Sequence, residues 1–372
     1  DKASEELRED FTAAERLMAL NSPFMNFTIY VLFVFILYFG SYLIVSSQGT
    51  TFGVGQLSSL ITYGFMMLMS LMMLSFVFAM IIIAEEGARR ICEVLLATST
   101  INNPENPLTE VTDGSIDFEN VGFSYSGPEG REALSGVDLH INSGEVIGII
   151  GGTGSAKSTL VQLIPRLYDV TAGSVSVGGH NVKDYDIDTL RGAVAMVLQK
   201  NVLFSGTIKE NLLWGNPDAT DEEILEAARL AQADSFVQTF PDKYETHIEQ
   251  GGNNVSGGQK QRLCIARALL RRPKVLILDD STSAVDTKTD SLIRSGLKDF
   301  LPDTTKIIIA QRTSSIEESD KIIVLDNGRV NAIGTHEELL KDNPIYREVY
   351  FSQNKQSVDE NQSQEGEVTS HE

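Results

Sequence analysis

The feature that most constrains the fold is a long segment, early in the chain, without any charged residue. No Asp, Glu, Lys or Arg occurs between Arg16 and Glu85. Residues 24–46 and 57–84 within this segment are predominantly apolar, and about 20 apolar residues are enough for a helix to cross the hydrocarbon layer. Two adjacent runs of this length are hard to bury in a soluble core. We therefore predict two membrane helices joined by a short loop.

Basic residues flank the two apolar runs. Arg8 and Arg16 precede the first run, and Arg89 and Arg90 follow the second. Because Lys and Arg are enriched on the cytoplasmic side of membrane helices, both ends are predicted to be cytoplasmic. The lipid bilayer is then an expected partner, and the expected location is the cell membrane, multi-pass, with the soluble domain in the cytoplasm. Residues 1–20 have apolar residues at helical spacing and predict an amphipathic helix.

The rest of the chain divides by composition into a linker, a domain and a tail. Residues 99–114 contain Pro104 and Pro107 and are interpreted as a linker after the membrane part, residues 1–98. Residues 115–353 alternate strand-like and helix-like segments, which indicates an α/β domain. Residues 354–372 offer almost nothing to bury, and we expect a disordered acidic tail. Because the chain begins at Asp1 rather than Met, we expect that further residues precede it.

The overall charge argues against one class of function. A formal net charge of -21 opposes binding to nucleic acid, because that binding needs a basic patch to neutralise phosphates. The two cysteines, Cys92 and Cys264, give no disulfide framework, and the five histidines show no metal-ligand spacing. The chemistry is therefore expected elsewhere in the α/β domain.

A glycine-rich loop follows a buried-strand pattern at residues 146–150 and leads into a helix starting near Lys157. In this arrangement the backbone N–H groups and the helix N-terminus surround the phosphates of a nucleotide. Lys157 adds a positive charge, and the Ser158 hydroxyl can ligate Mg²⁺. The candidate ATP-binding residues of this loop are Gly151, Gly152, Thr153, Gly154, Ser155, Ala156, Lys157, Ser158 and Thr159.

Position 156 departs from the usual loop, which has Gly before the Lys. If this position needs a positive φ, Ala156 costs about 1–2 kcal/mol. Most of the predicted phosphate contacts come from the backbone, so we expect weakened nucleotide binding at worst.

A second buried strand, residues 274–279, ends in Asp279 and is followed by Asp280. A carboxylate at the carboxyl end of a strand near the phosphate loop can hold Mg²⁺, directly or through water. We therefore predict Asp279 as a metal ligand.

Residues 255–262 read VSGGQKQR and lie between the phosphate loop and the Asp pair. In this order the three motifs resemble those of the ABC ATPase family over residues 115–350, and the preceding helices look like the fifth and sixth helices of an ABC exporter. The resemblance implies an α-helical transmembrane segment followed by an α/β P-loop ABC ATPase domain with a helical signature subdomain. It also implies ATP and Mg²⁺ as cofactors, and four further membrane helices with their coupling helices upstream.

The resemblance carries over specific roles. Tyr125 looks like the aromatic residue that stacks on adenine, and Gln199 like the glutamine that reaches Mg²⁺ and faces the membrane domain. Residues 246–252 look like the segment that senses the partner, and Asp286 lies in the loop that crosses to it. The residues implied to bind the γ-phosphate held by a second subunit are Ser256, Gly257, Gly258 and Gln259.

Two positions depart from the family pattern. Asp280 stands where the family has a catalytic Glu, and Gln311 where it has a switch His. Asp is one methylene shorter, and a displacement of about 1 Å can lower a rate about 100-fold. Gln311 carries no proton or charge, and losing such a transition-state contact costs roughly 100- to 1,000-fold. We therefore expect slow hydrolysis at this chain's own site.

The combination of an altered base and switch with an intact signature resembles the degenerate subunit of heterodimeric bacterial exporters. The implied partner is a second ABC exporter subunit with intact Glu and His, and the implied substrate is hydrophobic or amphipathic: a drug, a peptide or a lipid. Two alternatives stay open. One is a slow homodimeric exporter in which Asp280 is the working base, and the other is an ATP-gated channel or regulatory subunit.

Overall fold

The computed structural model describes residues 2–48, 50, 52–128, 130–280 and 285–353. The predicted tail, residues 354–372, lies outside the described residues. The described residues divide into two compact units between residues 99 and 100, and each unit is described by itself.

The first unit consists of two long helices, α1 (Lys2–Ser46) and α2 (Val54–Leu95). Both contain segments that are long and apolar enough, by length and composition, to cross a membrane. The two helices approach closely at Gly40, where an added β-carbon would lie 2.4 Å from Leu57 Cδ1. Small residues permit such close packing between apolar helices.

Both helices extend beyond the apolar runs that predicted them. The predicted amphipathic helix and the first apolar run form one continuous helix, α1, with Pro23 inside it. Helix α2 continues past residue 84 into the charged stretch. There Glu86 pairs with Arg89 at 2.8 Å and with Arg90 at 3.2 Å, and pairs at this spacing stabilise a helix. The change from apolar to charged composition therefore marks no helix end.

The second unit is an α/β domain built on two larger sheets and a short two-stranded one. Its strands are β1 (Ile116–Phe123), β2 (Leu134–Ile141), β3 (Val146–Gly151), β4 (Ala172–Val177), β5 (His180–Asn181), β6 (Val194–Val197), β7 (Gly206–Thr207), β8 (His247–Ile248), β9 (Val275–Asp279), β10 (Thr305–Ile309), β11 (Lys321–Asp326) and β12 (Arg329–Gly334). Its helices are α3 (Lys157–Leu163), α4 (Ile187–Ala193), α5 (Ile208–Leu213), α6 (Asp221–Leu230), α7 (Asp234–Val237), α8 (Gly257–Leu269), α9 (Thr287–Phe300) and α10 (His336–Asp342). Residues 344–353 form a further helix, called the 344–353 helix below.

The six-stranded sheet has the order β12-β11-β3-β10-β9-β6 and is parallel except at β12. Alternate residues of its strands enter two cores. Ile277 packs with the four-stranded antiparallel sheet β2-β1-β4-β5, while Leu276 and Leu278 pack with helices of the opposite face. Strands buried on both faces read as continuous apolar runs, which explains the pattern of residues 274–279.

A helical segment is inserted between β6 and β9. It contains α5, α6, α7 and α8, whose apolar sides share one core with Leu276 and Leu278. The structure therefore has the architecture predicted from the sequence: apolar helices followed by an α/β domain with a helical part.

Residues 99–114, predicted as a linker, make specific contacts with the α/β domain. The Leu108 N–H donates to the Asp184 carbonyl at 2.8 Å, and the Leu108 carbonyl accepts from the Asp186 N–H at 2.9 Å. The Asn103 side chain also bonds Asp186 at 2.6 Å. These bonds fix part of the stretch to the edge of the domain.

Candidate nucleotide site

The glycine-rich loop connects the end of β3 to the start of α3. A β-carbon added to Gly151 would lie 2.2 Å from the Leu325 carbonyl oxygen, so the loop begins in close contact with β11. At Gly152 and Gly154 an added β-carbon would meet no atom within 4 Å. The backbone therefore borders open space on its outer side, and this arrangement fits a phosphate group held by N–H donors.

Ala156 adopts the left-handed conformation, with φ 71° and ψ 26°. The structure therefore confirms that this position has a positive φ, for which the expected strain of an Ala residue is about 1–2 kcal/mol. Ala156 also precedes α3 without any side-chain cap. The first N–H groups of a helix have no partner within the helix, so they can bind an anion beside the loop.

The Lys157 ammonium lies over the loop. It donates to the Gly151 carbonyl at 2.8 Å and to the Gly152 carbonyl at 2.9 Å. Burial lowers the pKa of Lys157, while the carboxylates of Asp279 and Asp280 act in the opposite direction. The positive charge is therefore placed between the loop and the acidic pair, where a phosphate can bind it.

Asp279 ends β9 and is buried, with 6% of its surface exposed. Burial raises the pKa of its carboxyl group, and the hydrogen bond with Ser158 acts in the opposite direction. Within the described part of the chain, no group of three or more His, Cys, Asp and Glu residues could hold a metal ion. A cation here would have Asp279, the Ser158 hydroxyl and phosphate oxygens, and such oxygen ligands with few carboxylates suit Mg²⁺.

Asp280 holds two glutamine side chains on one oxygen. Its Oδ2 accepts from Gln199 Nε2 at 3.0 Å and from Gln311 Nε2 at 2.5 Å. Asp280 has a φ of 50°, which Asp tolerates better than most residues. The sequence predicted a function for each of the three residues but not their common hydrogen bonds. Because β6, β9 and β10 are neighbouring parallel strands, residues that follow their carboxyl ends meet at one edge of the sheet.

Tyr125 lies near the loop with 56% of its surface exposed. Its hydroxyl is 3.0 Å from the hydroxyl of Thr159, which the sequence predicted as a phosphate-loop residue. The Tyr125 ring contacts Tyr168 edge-on, with centroids 5.2 Å apart. Sequence reasoning missed Tyr168, which belongs to none of the motifs identified in the sequence. The stacking of Tyr125 on adenine stays a prediction.

The signature residues form the start of α8, on a different element from the phosphate loop. The Ser256 hydroxyl accepts from the Gln259 N–H at 3.3 Å, and the Gln259 side chain accepts from the Ser256 N–H at 2.9 Å. This reciprocal cap leaves Gly257 and Gly258 in the first turn of a helix of 13 residues. The N-terminus of such a helix favours anions.

Sequence reasoning also missed Gln353, at the end of the 344–353 helix. Gln353 Nε2 donates to the Gln311 carbonyl at 2.7 Å, and its Oε1 accepts from the Thr313 N–H at 2.9 Å. No motif marks this residue, and it lies far from Gln311 in sequence.

Comparison with known proteins agrees with these motifs. Residues 134–283 match the family model described as ABC transporter. The uncharacterized ABC transporter ATP-binding protein YknU of Bacillus subtilis is 37% identical over 351 residues, which cover 94% of this chain and 59% of that protein. The structure of a bacterial Atm1-family ABC exporter with ATP bound superposes with a TM-score of 0.75 at 32% identity, over 88% of this chain and 57% of that one. The chain carries an ABC transporter ATPase domain.

The fold class implied by the motifs is thereby confirmed: apolar helices followed by an α/β ABC ATPase domain, which is an ATP-binding domain. A further relative, from Staphylococcus aureus, is provisionally named as a multidrug export ATP-binding/permease protein. It is 44% identical over 245 residues, covering 66% of this chain and 42% of that protein. The chain thus spans less than two thirds of the length of these relatives. The roles of individual residues of the ABC ATPase domain stay predictions.

Ala156→Gly should raise the thermal stability of the ABC ATPase domain. Relief of the left-handed strain gains about 1–2 kcal/mol, and the added freedom of the unfolded chain costs about 0.4–1 kcal/mol. Thermal unfolding of the full-length protein measures the difference. Ala268→Gly is the matched control, because Gly inside helix α8 should lower stability by about 0.5–1 kcal/mol. Equal losses in both variants would contradict the assigned backbone strain.

Asp279→Asn should stabilise the nucleotide-free protein at neutral pH. Because burial raises the pKa of Asp279, ionisation of this group lowers stability as pH rises through its unfolded value of 3.8. The Asn oxygen can still accept from Ser158. With MgATP present, the variant should gain less stability than the original, since Asn is a weaker metal ligand. Thermal unfolding with ATP alone, then with MgATP, tests this; an equal shift with MgATP would remove Asp279 from the metal site.

Proposed function

We propose that the chain is part of an ABC exporter subunit whose own nucleotide site binds MgATP and hydrolyses it slowly. The observation that carries the proposal is the arrangement at Asp280, where two carboxamides bind the same carboxylate oxygen. Transport would be driven mainly by a second site, completed by the partner subunit. The substrates would be hydrophobic or amphipathic molecules that leave the cytoplasm.

The residues that would hold the nucleotide remain suited to it. The loop backbone at Gly152 and Gly154 borders open space, and the Lys157 ammonium lies above that loop. Asp279 and Ser158 would hold Mg²⁺, with Gln199 nearby on Asp280. A bound Mg²⁺ supplies charge neutralisation at the β- and γ-phosphates. Tyr125, which is exposed and whose hydroxyl lies 3.0 Å from the Thr159 hydroxyl of α3, would stack on the adenine ring.

The residues that would activate water are altered. A general base must direct a lone pair at the water, and one of the two carboxylate oxygens of the shorter Asp280 side chain, Oδ2, is engaged by Gln199 and Gln311. Gln311 can donate a hydrogen bond but cannot carry a proton or a positive charge. These changes leave ground-state binding of ATP largely intact and weaken contacts that matter in the transition state. The site would therefore bind ATP and keep it largely uncleaved.

The intact signature motif would complete the partner's site. Ser256 and Gln259 cap one another, so the first turn of α8 presents Gly257 and Gly258 with their N–H groups toward an incoming phosphate. ABC domains act as head-to-tail pairs in which each ATP is held by one loop and the opposite signature. The partner would then supply the loop, the Glu and the His of the competent site.

A groove beside Gln199 supports its expected role in facing the membrane domain. Leu198 and Lys200, its two neighbours in sequence, line a groove of about 330 Å³. Phe204 and Trp214 line the same groove and stack with centroids 4.7 Å apart, and Trp214 is 63% exposed. Exposed aromatic residues in a concave surface are typical anchors for a protein partner. We propose that a coupling helix, from a part of the membrane domain other than α1 and α2, docks here and moves with Gln199.

Two substitutions in the full-length complex test the asymmetry. Replacing the partner's catalytic Glu by Gln should nearly abolish ATP hydrolysis, whereas Asp280→Ala should leave most of it. Steady-state phosphate release from the reconstituted pair measures both. The reverse change, Asp280→Glu with Gln311→His, should raise hydrolysis at this chain's site by up to about 100-fold, because it restores the reach and the charge. This gain in phosphate release is measured in a complex whose partner subunit has its catalytic Glu replaced by Gln.

Asp280→Asn is the control for the gain, because it keeps the length of Asp280 and removes its charge. It should not raise hydrolysis. If Asp280→Ala were as damaging as loss of the partner's Glu, the asymmetric scheme would be wrong. If this protein reconstituted alone hydrolysed ATP at an exporter's usual rate, the homodimeric alternative would replace it.

Trp214→Ala should uncouple ATP binding from transport. Loss of one aromatic anchor weakens docking at an interface by about 2 kcal/mol. ATP-dependent uptake of a hydrophobic dye into inverted vesicles should fall several-fold, while binding of MgATP stays unchanged. Trp214→Phe keeps a ring to stack on Phe204 and should retain most of the uptake. Normal uptake by Trp214→Ala would show that the membrane domain docks elsewhere.

A further inference from the structure

The 344–353 helix is firmly attached to the ABC ATPase domain at its start. The Asn343 side chain accepts from the Tyr346 N–H at 2.9 Å, which caps the helix, and donates to Asn331 Oδ1 at 2.7 Å. Tyr346 is fully buried, and its hydroxyl is 2.7 Å from His336 Nδ1. The helix therefore leaves the domain core in a defined direction and ends at Gln353.

At that end, one side chain binds the backbone on both sides of Arg312. Gln353 Nε2 donates to the Gln311 carbonyl, and Gln353 Oε1 accepts from the Thr313 N–H and lies 3.2 Å from the Thr313 hydroxyl. A carboxamide is suited to this task because it combines a donor and an acceptor on one planar group. A carboxylate or an ammonium group in the same place could satisfy only one of the two backbone positions.

The bound backbone carries the side chain that meets Asp280. Upstream, the Ala310 N–H donates to the Ile149 carbonyl at 3.2 Å, which fixes the start of this segment to β3. Downstream, Thr313 is 3% exposed, whereas Gln311 and Arg312 lie at the surface. Gln353 thus holds the exposed turn between two fixed points, and the Gln311 side chain reaches Asp280 Oδ2 from there.

We propose that Gln353 is a positioning residue for residues 311–313, the switch segment. By holding that backbone, Gln353 keeps the Gln311 amide hydrogen-bonded to Asp280. This contact slows release of ATP from the phosphate loop. The proposal rests on the proposed function, since it concerns the site expected to retain ATP. It also makes the 344–353 helix part of the nucleotide site, so that movement of this helix would change how long ATP stays bound.

The test uses the full-length protein assembled with its partner, whose catalytic Glu is replaced so that hydrolysis there is blocked. Release of radiolabelled MgATP from this chain's site is measured after a chase. Gln353→Ala should release ATP about fivefold faster or more, because two hydrogen bonds to the switch segment are lost. Ser352→Ala, one residue earlier on the same helix, is the matched control and should release ATP at the original rate.

A double-mutant cycle separates positioning from a general loss of stability. If Gln353 acts through Gln311, release from Gln353→Ala with Gln311→Ala should be no faster than from Gln311→Ala alone. Additive effects would overturn the proposal. Gln353→Glu keeps the acceptor for Thr313 and loses the donor for Gln311. In the Gln353→Glu variant, hydrogen exchange of the Thr313 amide should stay slow, and ATP should still be released faster than from the original protein. If Gln353→Ala fails to fold, the Gln353→Glu variant alone tests the proposal.

The outcomes distinguish this inference from the proposed function. If the original protein cleaves ATP promptly at this site, the site does not retain ATP and the proposed function fails. If the original protein retains ATP and Gln353→Ala and Gln353→Glu retain it equally, only the role of Gln353 fails.

Discussion

The nucleotide site depends on the register of three parallel strands. Strand β10 pairs with β3 and β9 so that Ile309 lies opposite both Ile149 and Asp279. Beyond the strands, the Asp280 N–H donates to the Ile309 carbonyl at 2.9 Å, and the Ala310 N–H donates to the Ile149 carbonyl. These bonds bring the phosphate loop, the acidic pair and Gln311 to one edge of the sheet. A slip of one residue in β9 would turn Asp279 to the opposite face.

At this edge, the groups that hold phosphate and the groups that would activate water are distinct. Under the proposed function, holding phosphate would depend on backbone N–H groups and on the Lys157 charge. Ala156 occupies a left-handed position at the cost of some strain, and the Lys157 ammonium still bonds the Gly151 carbonyl of the loop. Activating water would depend on side-chain length and charge, in which Asp280 and Gln311 differ from the Glu and His of the family pattern. A substitution of one methylene group is small for binding and large for a proton transfer, because transition-state contacts tolerate less displacement. Binding and hydrolysis can therefore diverge in one site.

Local patterns predicted much of this molecule. The uncharged segment predicted two long apolar helices, and continuous apolar strands followed by Gly151–Thr159 and Asp279 predicted the sheet and its loop. The sequence could not give the ends of α1 and α2, because ion pairs such as Glu86–Arg89 continue the helix past the apolar run. Nor could the sequence predict that two amides donate to Asp280 or that the Gln353 side chain bonds the backbone of residues 311 and 313. These contacts join residues far apart in the chain and depend on the spatial order of strands, which no local pattern encodes.

Three glutamines now connect separate parts of the ABC ATPase domain: Gln199 after β6, Gln311 after β10 and Gln353 at the end of the 344–353 helix. Their amides are neutral at every physiological pH, whereas a His at position 311 would titrate near pH 6.5. The two amides that donate to Asp280 neither gain nor lose a proton in this range. The arrangement can therefore respond to arrival or loss of nucleotide, through the phosphate charge, while remaining insensitive to protonation of the switch. Under the proposed function, such a site would hold ATP while the partner's site turns over.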